Sequence, residues 1–432
     1  MSVDTAAPAP APAPSKDLAV AAVNRSWKAP IAFAVFGLIA LVGFGLLAPA
    51  GEQSTFRIST ASDFIQIAPV TLPSKAVGIV LGVLCLAIAA YAYVLVRRAQ
   101  RVPVWLTITF AIAWVLAFLV WAVAGAEISF TALLAGALAL SVPLVFGALS
   151  GVLCERAGVI NIAIEGQLLA GAFLSAVVAT LTGNLYVGLV AAVVAGLLVA
   201  WVLAVFTITY IVNQIIVGVV LNVLVLGVTN FLYSAVLAGD SEGWNNPGRL
   251  PNIKIPVLGD IPIIGPVVFD QTIIVYLMYA TVIVLQIALF RSRWGLRVRS
   301  VGEHPKAADT LGIKVNSVRF RNVLLGGMVA GLGGAFFTIG NVGVFSKEMS
   351  AGQGFIALAA MIFGRWSPVG ALGAALLFGF ANNLQSVLGI IGTPIPSEFM
   401  LMTPYILTIF AVAGLVGNVR APAADGIPYT KA

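Results

Sequence analysis

Charged residues are scarce in this sequence, and apolar residues dominate it. Asp, Glu, Lys and Arg make up 9% of the 432 residues, whereas 60% are hydrophobic, and the mean hydropathy is +1.06. Soluble domains carry charge on about 25% of their residues. The composition therefore excludes an ordinary soluble protein and predicts a chain whose main solvent is lipid.

Residues that build metal and catalytic sites are also few. His304 is the single histidine, which argues against a histidine-clustered metal and against a Ser-His-Asp site. Cys85 and Cys154 lie in or beside apolar runs, so neither a disulfide nor a cysteine-bound metal is expected. The sequence also lacks a Gly-x-x-x-x-Gly-Lys-Ser/Thr phosphate loop, so no cofactor is expected and any ATP must bind to another polypeptide.

Long apolar runs recur from Pro30 almost to the C-terminus. A helix of roughly 20 residues crosses the hydrocarbon layer, and we count about ten to twelve such runs, which predict an all-α, polytopic transmembrane helical bundle. The predicted spans are 31–48, 76–96, 104–125, 131–153, 167–181, 187–207, 215–237, 272–290, 323–339, 355–363, 369–388 and 401–416. The short runs at 167–181 and 355–363 predict broken or partial helices, which are tolerated only against protein or a water-filled cavity.

The distribution of charge predicts the orientation. Basic residues cluster at 25–28, 97–101 and 291–321, and short loops with this excess of Lys and Arg face the cytoplasm. The loop 239–270 is mainly acidic and should face outside. With an even number of spans, both termini are then cytoplasmic, and the net charge of +7 reflects membrane loops rather than a nucleic-acid surface.

Two polar residues interrupt the apolar stretch between the fourth and fifth predicted spans. Asn161 and Glu165 stand four residues apart, on one helix face. A carboxylate at membrane depth costs about 2.5–3.5 kcal/mol or more unless it is solvated or paired. Glu165 therefore either faces a solute path or braces the fold, for instance through Arg156 or backbone amides.

Amide side chains pose the same choice elsewhere. Asn213 and Asn222 open and line one apolar helix, and Asn382 and Asn383 lie near the end of another. Such amides either hydrogen-bond a polar solute or hold neighbouring helices together. The sequence leaves both readings open.

The basic segment contains a predicted short helix from Glu303 to Gly312. Pro305 suits its first position, Glu303 its positive end and Gly312 its stop. A small apolar stripe is formed by Ala307, Ala308 and Leu311. In so basic a loop the stripe either packs on the protein's own spans or docks into a groove on a soluble partner.

Three segments together carry a family resemblance. Gly151–Gln167, Asn213–Asn222 and Glu303–Gly312, in this order and spacing, resemble the permease subunits of ABC importers for nucleosides and simple sugars, a group that also serves ribose and branched-chain amino acids. The resemblance covers roughly residues 128–418. The stretch Glu155–Gly166 is most similar to the nucleoside branch.

The resemblance implies a bacterial cell-membrane subunit that forms the translocation path for a nucleoside. It implies four kinds of partner: a second, homologous permease, a cytoplasmic ABC ATPase that binds the ATP, an external solute-binding protein and the lipid bilayer. The tentative path residues are Asn161, Glu165, Asn213, Asn222, Asn382 and Asn383. The helix that receives ATP-driven motion would use Glu303, Pro305, Ala307, Ala308, Leu311 and Gly312.

The expected organisation follows from these assignments. It comprises a disordered Ala/Pro-rich cytoplasmic tail (1–29), additional N-terminal spans (30–125), the permease core (126–420, with the external loop 239–270 and the coupling loop 291–322) and a cytoplasmic tail (421–432). The additional N-terminal spans exceed the usual family core and are not assigned to the path.

Other functions remain in competition. A permease for a simple sugar such as ribose, or for branched-chain amino acids, would share most of these features. An ion-coupled secondary transporter needs titratable groups at mid-membrane, for which Glu165 is the candidate. A membrane-embedded enzyme is disfavoured because the sequence shows no paired carboxylates, metal cluster or activated nucleophile.

Overall fold

The computed structural model describes residues 26–59, 66–391, 402 and 420–431. The chain forms two compact units: Met1–Thr55 with Thr71–Ala126, and Phe56–Val70 with Glu127–Ala432. Ten described helices are long and apolar enough to cross a membrane. The predicted all-α, polytopic architecture is therefore confirmed.

The first unit contains three long helices. Helix α1 (Lys28–Ile39) continues as a π-helix over Ala40–Leu46, and α2 (Ser74–Arg97) and α3 (Val104–Ala122) follow. The short strands β1 (Gln53–Arg57) and β2 (Val70–Pro73) lie between α1 and α2 in sequence. Aromatic side chains fill the core of this unit, where the ring of Phe44 lies 5.2–5.5 Å from those of Trp114, Phe118 and Trp121.

The second unit contains the remaining elements. In chain order they are β3 (Glu127–Ser129), α4 (Phe130–Glu155), α5 (Ile164–Thr182), α6 (Leu185–Ala204), α7 (Gln214–Leu232), α8 (Ser241–Trp244), β4 (Asn252–Lys254), β5 (Asp270–Thr272), α9 (Ile273–Arg291), α10 (Arg293–Glu303), α11 (Pro305–Thr310), α12 (Val315–Ala335), α13 (Gln353–Phe363) and α14 (Pro368–Ile391). π-Helical turns extend α6 to Thr209, α7 to Leu237 and α12 to Val342. Strands β4 and β5 pair antiparallel, with Ile253 opposite Gln271.

Glycines let the helices of the second unit approach closely. A methyl group on Gly327 or Gly331 of α12 would collide with the backbone of α6 at Gly196 or Ala192. Methyl groups on Gly147 and Gly151 of α4 would likewise meet side chains of α13. Close backbone packing of this kind stabilises helix pairs in lipid, where the hydrophobic effect does not act between helices.

The two short apolar runs, at 167–181 and 355–363, were both predicted to be broken or partial helices, but they differ in the structure. The run at 355–363 lies in α13, a helix of 11 residues that is too short to span the bilayer alone. The expectation of a partial helix at 167–181 is wrong, because α5 begins at Ile164 and its 19 residues are long enough to cross. The sequence analysis missed the start of α5 because the charged residue Glu165 lies in its first turn. The predicted span 401–416 lies outside the described residues, apart from Met402.

Candidate functional site

Asn161 is fully buried and belongs to a network between α4 and α5. Its side-chain nitrogen donates to Ser150 Oγ at 3.1 Å and to Gln167 Oε1 at 3.0 Å. The Gln167 amide donates back to Asn161 Oδ1 at 3.3 Å. Buried amides that satisfy one another in this way fix the geometry of a turn, and Asn161 here holds the α4–α5 turn rather than an open surface.

Glu165 is bound by the segment that leads into α13. Its Oε1 accepts hydrogen bonds from Ser350 Oγ at 2.6 Å and from the Gly352 amide at 2.8 Å, and its Oε2 accepts from the Gly354 amide at 2.6 Å. The carboxylate therefore caps the positive end of α13. Three donors offset the cost of placing the charge in the membrane. Arg156, which the sequence suggested as a partner of Glu165, donates instead to the Trp366 carbonyl.

The segment bound by Glu165 has unusual backbone geometry. Glu348, Ala351 and Gly352 adopt positive φ angles of +56°, +45° and +79°. A left-handed conformation is uncommon for a residue with a side chain and costs about 1–3 kcal/mol. The segment persists because Glu165 holds one end and because Asn230 Nδ2 donates to Glu348 Oε1 at 3.2 Å at the other.

A cavity of about 350 Å³ lies beside this strained segment. Its polar lining comes from Glu165, Asn222, Glu348 and Ser350, and its apolar lining includes Phe355, Leu169 and Leu226. Small-molecule sites have volumes of about 300–1,000 Å³ and combine apolar walls with a few polar groups. The cavity therefore fits a small polar solute.

The cavity lies at considerable depth along the helices. Ala357, in the second turn of α13, lies next to Gly147 of α4, where a Cβ atom would come within 2.7 Å of Ala357 Cβ. Gly147 lies eight residues before Glu155, the last residue of α4, which is about 12 Å at 1.5 Å per residue. α13 starts one turn before Ala357. When the charged pair Glu155–Arg156 marks the membrane surface, that start lies near the middle of a hydrocarbon layer about 30 Å thick, and the cavity lies beside it.

Asn222 lines this cavity but also joins two helices. Its Oδ1 accepts from the Gly166 amide at 2.8 Å, and its Nδ2 donates to the Ile162 carbonyl at 2.9 Å. Asn213 is exposed at the start of α7, where its Oδ1 accepts from the amides of Ile215 and Ile216 at 3.0 and 3.3 Å. Asn213 is thus a helix cap, away from the cavity.

The two asparagines of α14 lie apart from the cavity lining. Asn383 Nδ2 donates to the Leu133 carbonyl of α4 at 2.7 Å, and both Asn382 and Asn383 are half-buried. Of the six predicted path residues, the structure therefore brings Glu165 and Asn222 to one cavity. Asn161 lies in the turn nearby, and Asn213, Asn382 and Asn383 are elsewhere.

Two polar side chains of the cavity lining were missed by the sequence analysis. Glu348 and Ser350 stand between predicted spans, in a stretch without periodicity. The signal that could have found them is the shortness of the following helix, because a polar segment before a partial helix must lie at membrane depth against protein.

The predicted short helix in the basic segment exists as α11, over Pro305–Thr310. Pro305 occupies its first turn, and Gly312 follows with a positive φ of +81°. The expected place of Glu303 in this helix is wrong. Glu303 is the last residue of α10, because Pro305 has no amide hydrogen with which α10 could continue.

The apolar stripe of α11 is divided between two surroundings. Ala308 is 2% exposed and packs against Val301 and Val315. Leu311, in contrast, is 81% exposed, and Ala307 is also exposed. Both readings of the stripe therefore apply in part: Ala308 packs on the protein, whereas Leu311 faces away from it.

Arg156 and Glu155 join the end of α4 to the start of α14. Arg156 Nε donates to the Trp366 carbonyl at 2.9 Å, and Trp366 Nε1 donates to Glu155 Oε2 at 2.5 Å. The α13–α14 junction thus lies at the same end of the unit as the α4–α5 turn. Within the described residues, no cluster of three His, Cys, Asp or Glu side chains could hold a metal ion.

Comparisons with known proteins agree with this architecture. Residues 133–412 match the family described as "Branched-chain amino acid transport system / permease component". The guanosine ABC transporter permease protein NupQ of Bacillus subtilis (strain 168) is 41% identical over 303 residues, which cover 67% of this chain and 93% of the relative. The nucleoside ABC transporter permease protein NupC of Lactococcus lactis subsp. cremoris (strain MG1363) is 39% identical over 69% of this chain and 96% of the relative.

A third relative is associated with a sugar. The putative glucose ABC transporter permease protein TsgC13 of Haloferax volcanii is 35% identical over 246 residues, which cover 56% of this chain and 73% of the relative. No solved structure matches the chain.

Proposed function

Because the chain belongs to the branched-chain amino acid transport system / permease component family, we propose that it forms the membrane path of an ABC importer for a nucleoside. The chain is a multi-pass protein of the bacterial plasma membrane and a component of a transport system. The observation that carries the proposal is the cavity of about 350 Å³ at mid-depth, enclosed by α5, α7 and the strained segment before α13.

The chemistry of the cavity supports a nucleoside. Glu165 and Asn222 are occupied by protein donors and acceptors. Among the described residues, Glu348 Oε1 meets Asn230, which leaves Oε2 of Glu348 to accept a hydrogen bond from a sugar hydroxyl or a ring N–H. Phe355 is 50% exposed and offers an aromatic face on which a base can stack.

The same chemistry weakens the competing proposals. A simple sugar could hydrogen-bond to Glu348, but it has no flat base to stack on Phe355. Because the chain is similar to a putative glucose permease, sugars are included as competitors in the experiment below. An ion-coupled transporter would need Glu165 to bind an ion or a proton. Its three protein donors support a bracing role instead.

The partners are part of the proposal. A separate cytoplasmic ATPase binds ATP and docks on α11 through its outward residue Leu311, and a second, homologous permease completes the path. An external solute-binding protein delivers the solute on the side of the 239–270 loop. The basic segments and both termini are then cytoplasmic, which agrees with the distribution of Lys and Arg.

The additional N-terminal spans at 30–125 and the tail at 1–29 are not assigned to the path. We place the permease core at 126–420. The family match begins at residue 133, which supports this boundary.

Reconstitution tests the proposal. The chain is co-expressed with the second permease, the ATPase and the binding protein from the same organism and placed in proteoliposomes. Uptake of labelled guanosine is then measured with unlabelled ribose, glucose and leucine as competitors. We expect uptake that requires ATP, survives collapse of ion gradients and resists the three competitors. Uptake by the isolated chain, driven by an ion gradient, would refute the proposal.

A further inference from the structure

The described C-terminal residues 420–431, here called the C-terminal strap, pack against the second unit. The Ala424 amide donates to the Gly302 carbonyl at 2.8 Å, and the Ala423 amide donates to Glu303 Oε2 at 3.1 Å. These contacts attach the strap to the end of α10. The family match ends at residue 412, so the strap lies beyond the part of the chain that defines the family.

A buried arginine holds the strap from the other side. Arg319 of α12 is 2% exposed, and its Nη1 and Nη2 donate to the carbonyls of Ile427 and Ala424 at 2.7 and 3.5 Å. A buried guanidinium is costly unless its donors are satisfied. The strap supplies the acceptors for Nη1 and Nη2, so these two nitrogens of Arg319 have their partners only when the strap is in place.

The strap also reaches the end of α4. Gly426 of the strap packs on Ile160 of the α4–α5 turn, whose Cδ1 lies 2.7 Å from the place that a Cβ atom on Gly426 would take. Asp425 lies near Glu155, which accepts a hydrogen bond from Trp366 Nε1 at the start of α14. Two neighbouring carboxylates repel each other, so this pair is favoured when one of them carries a proton. The other ionisable groups that act on Asp425 are Arg319 of α12 and the thiol of Cys154 on α4.

A fourth attachment connects the strap to α11. The ring of Tyr429 packs against the cluster of Val301, Ala308 and Val315, and its hydroxyl group lies near the carboxylate of Asp309 on α11. The inward side of α11 therefore rests partly on the strap. The outward side, with Leu311, is left for the ATPase.

We propose that the C-terminal strap positions α11 and transmits its movement to the α4–α5 turn, with Tyr429 and Asp425 as the two positioning residues. The inference rests on the proposed function, since it assumes that α11 receives ATP-driven motion. A displacement of α11 pulls Tyr429, and Asp425 passes the displacement to Glu155. Ten residues further along the chain, Glu165 holds the segment that lines the cavity.

Two small substitutions test the strap in the complete transporter. Tyr429→Phe removes one hydroxyl and keeps the ring, and Asp425→Asn keeps the size of the side chain. For Tyr429→Phe we expect about a tenfold fall in solute transported per ATP hydrolysed, because the variant loses the hydroxyl group that lies near Asp309 of α11. Tyr93→Phe on α2 is the matched control, for which we expect the wild-type ratio.

The pH profile distinguishes positioning from a merely structural role. In the wild type we expect the transport-to-hydrolysis ratio to fall as the pH on the strap side rises, whereas in Asp425→Asn it should stay constant. A wild-type ratio in Tyr429→Phe, or a parallel loss of uptake and ATP hydrolysis in both variants, would overturn the proposal. ATP-dependent uptake by the wild-type complex is measured in the same preparations, so failure of the proposed function is recognised separately.

Discussion

The carboxylate of Glu165 accepts a hydrogen bond at 2.6 Å from the amide of Gly354, a residue 189 positions later in the chain. This contact joins the first turn of α5 to the first turn of α13. Because the same carboxylate also binds Ser350 and Gly352, it fixes the whole segment that lines the cavity.

Replacing Glu165 tests this bracing role. In Glu165→Gln the new NH₂ group cannot accept from an amide, so at least one donor loses its partner. We expect the free energy of unfolding to fall by about 1–3 kcal/mol, measured by equilibrium unfolding in mixed micelles. Glu52→Gln, at an exposed position, is the control and should change it by less than about 0.5 kcal/mol. Wild-type stability in Glu165→Gln would contradict the bracing role.

Glu348 provides a separate test of solute recognition. Glu348→Gln removes the negative charge from the cavity while leaving Glu165 and its contacts intact. We expect the KM for nucleoside uptake to rise about tenfold, since a charge-assisted hydrogen bond contributes about 1.5–3 kcal/mol. Membrane insertion and assembly with the ATPase should be unchanged.

The control for Glu348 is a carboxylate outside the cavity. Glu242→Gln changes an exposed acidic residue in the 239–270 loop and should leave KM at the wild-type value. If Glu348→Gln transports nucleosides with an unchanged KM, Glu348 does not bind the solute.

The sequence predicted the helices well because hydropathy is a local property. Helix α9, for example, was predicted at 272–290 and is found at Ile273–Arg291. The start of α5 was missed because Glu165 looks unfavourable in lipid. The partners of Glu165 include Ser350, 185 positions away, and no local pattern reveals such a contact.

The candidate site was predicted only in part for the same reason. Glu165 and Asn222 were recognised as polar groups in apolar helices, and the structure brings them to one cavity. Glu348 was missed because its place depends on a strained backbone and on Asn230, 118 positions away. Helical periodicity predicted the stripe of α11, but only the packing of α10 and α12 shows that Ala308 faces inward and Leu311 outward.

The divided stripe gives a test of ATPase docking. Leu311→Asp places a charge on the outward side of α11, and we expect the ATPase to be lost on co-purification while the stability of the permease stays within about 0.5 kcal/mol of wild type. The conservative variant Leu311→Met should retain the ATPase. Normal co-purification of Leu311→Asp would show that the partner docks elsewhere.

Ala308→Asp should behave differently from Leu311→Asp. The new carboxylate would be buried against Val301 and Val315, and burying an unpaired charge costs several kcal/mol. We expect lower stability, seen as unfolding at lower denaturant concentration, together with loss of uptake. If Ala308→Asp is as stable as the wild type, the inward position of Ala308 is wrong.

The attachment of the strap should depend on pH. Burial raises the pKa of Asp425 from its ordinary value of 3.8 to about 6, so folding favours the protonated form. The stability that this proton contributes is fully present below pH 3.8 and is lost as the pH rises through about 6. A spin label at Thr430→Cys, at an exposed position of the strap, should therefore be less mobile at pH 5 than at pH 8. Asp425→Asn, which resembles the protonated acid, should show the low-pH mobility at both values, and an unchanged pH response in that variant would assign the effect to another group.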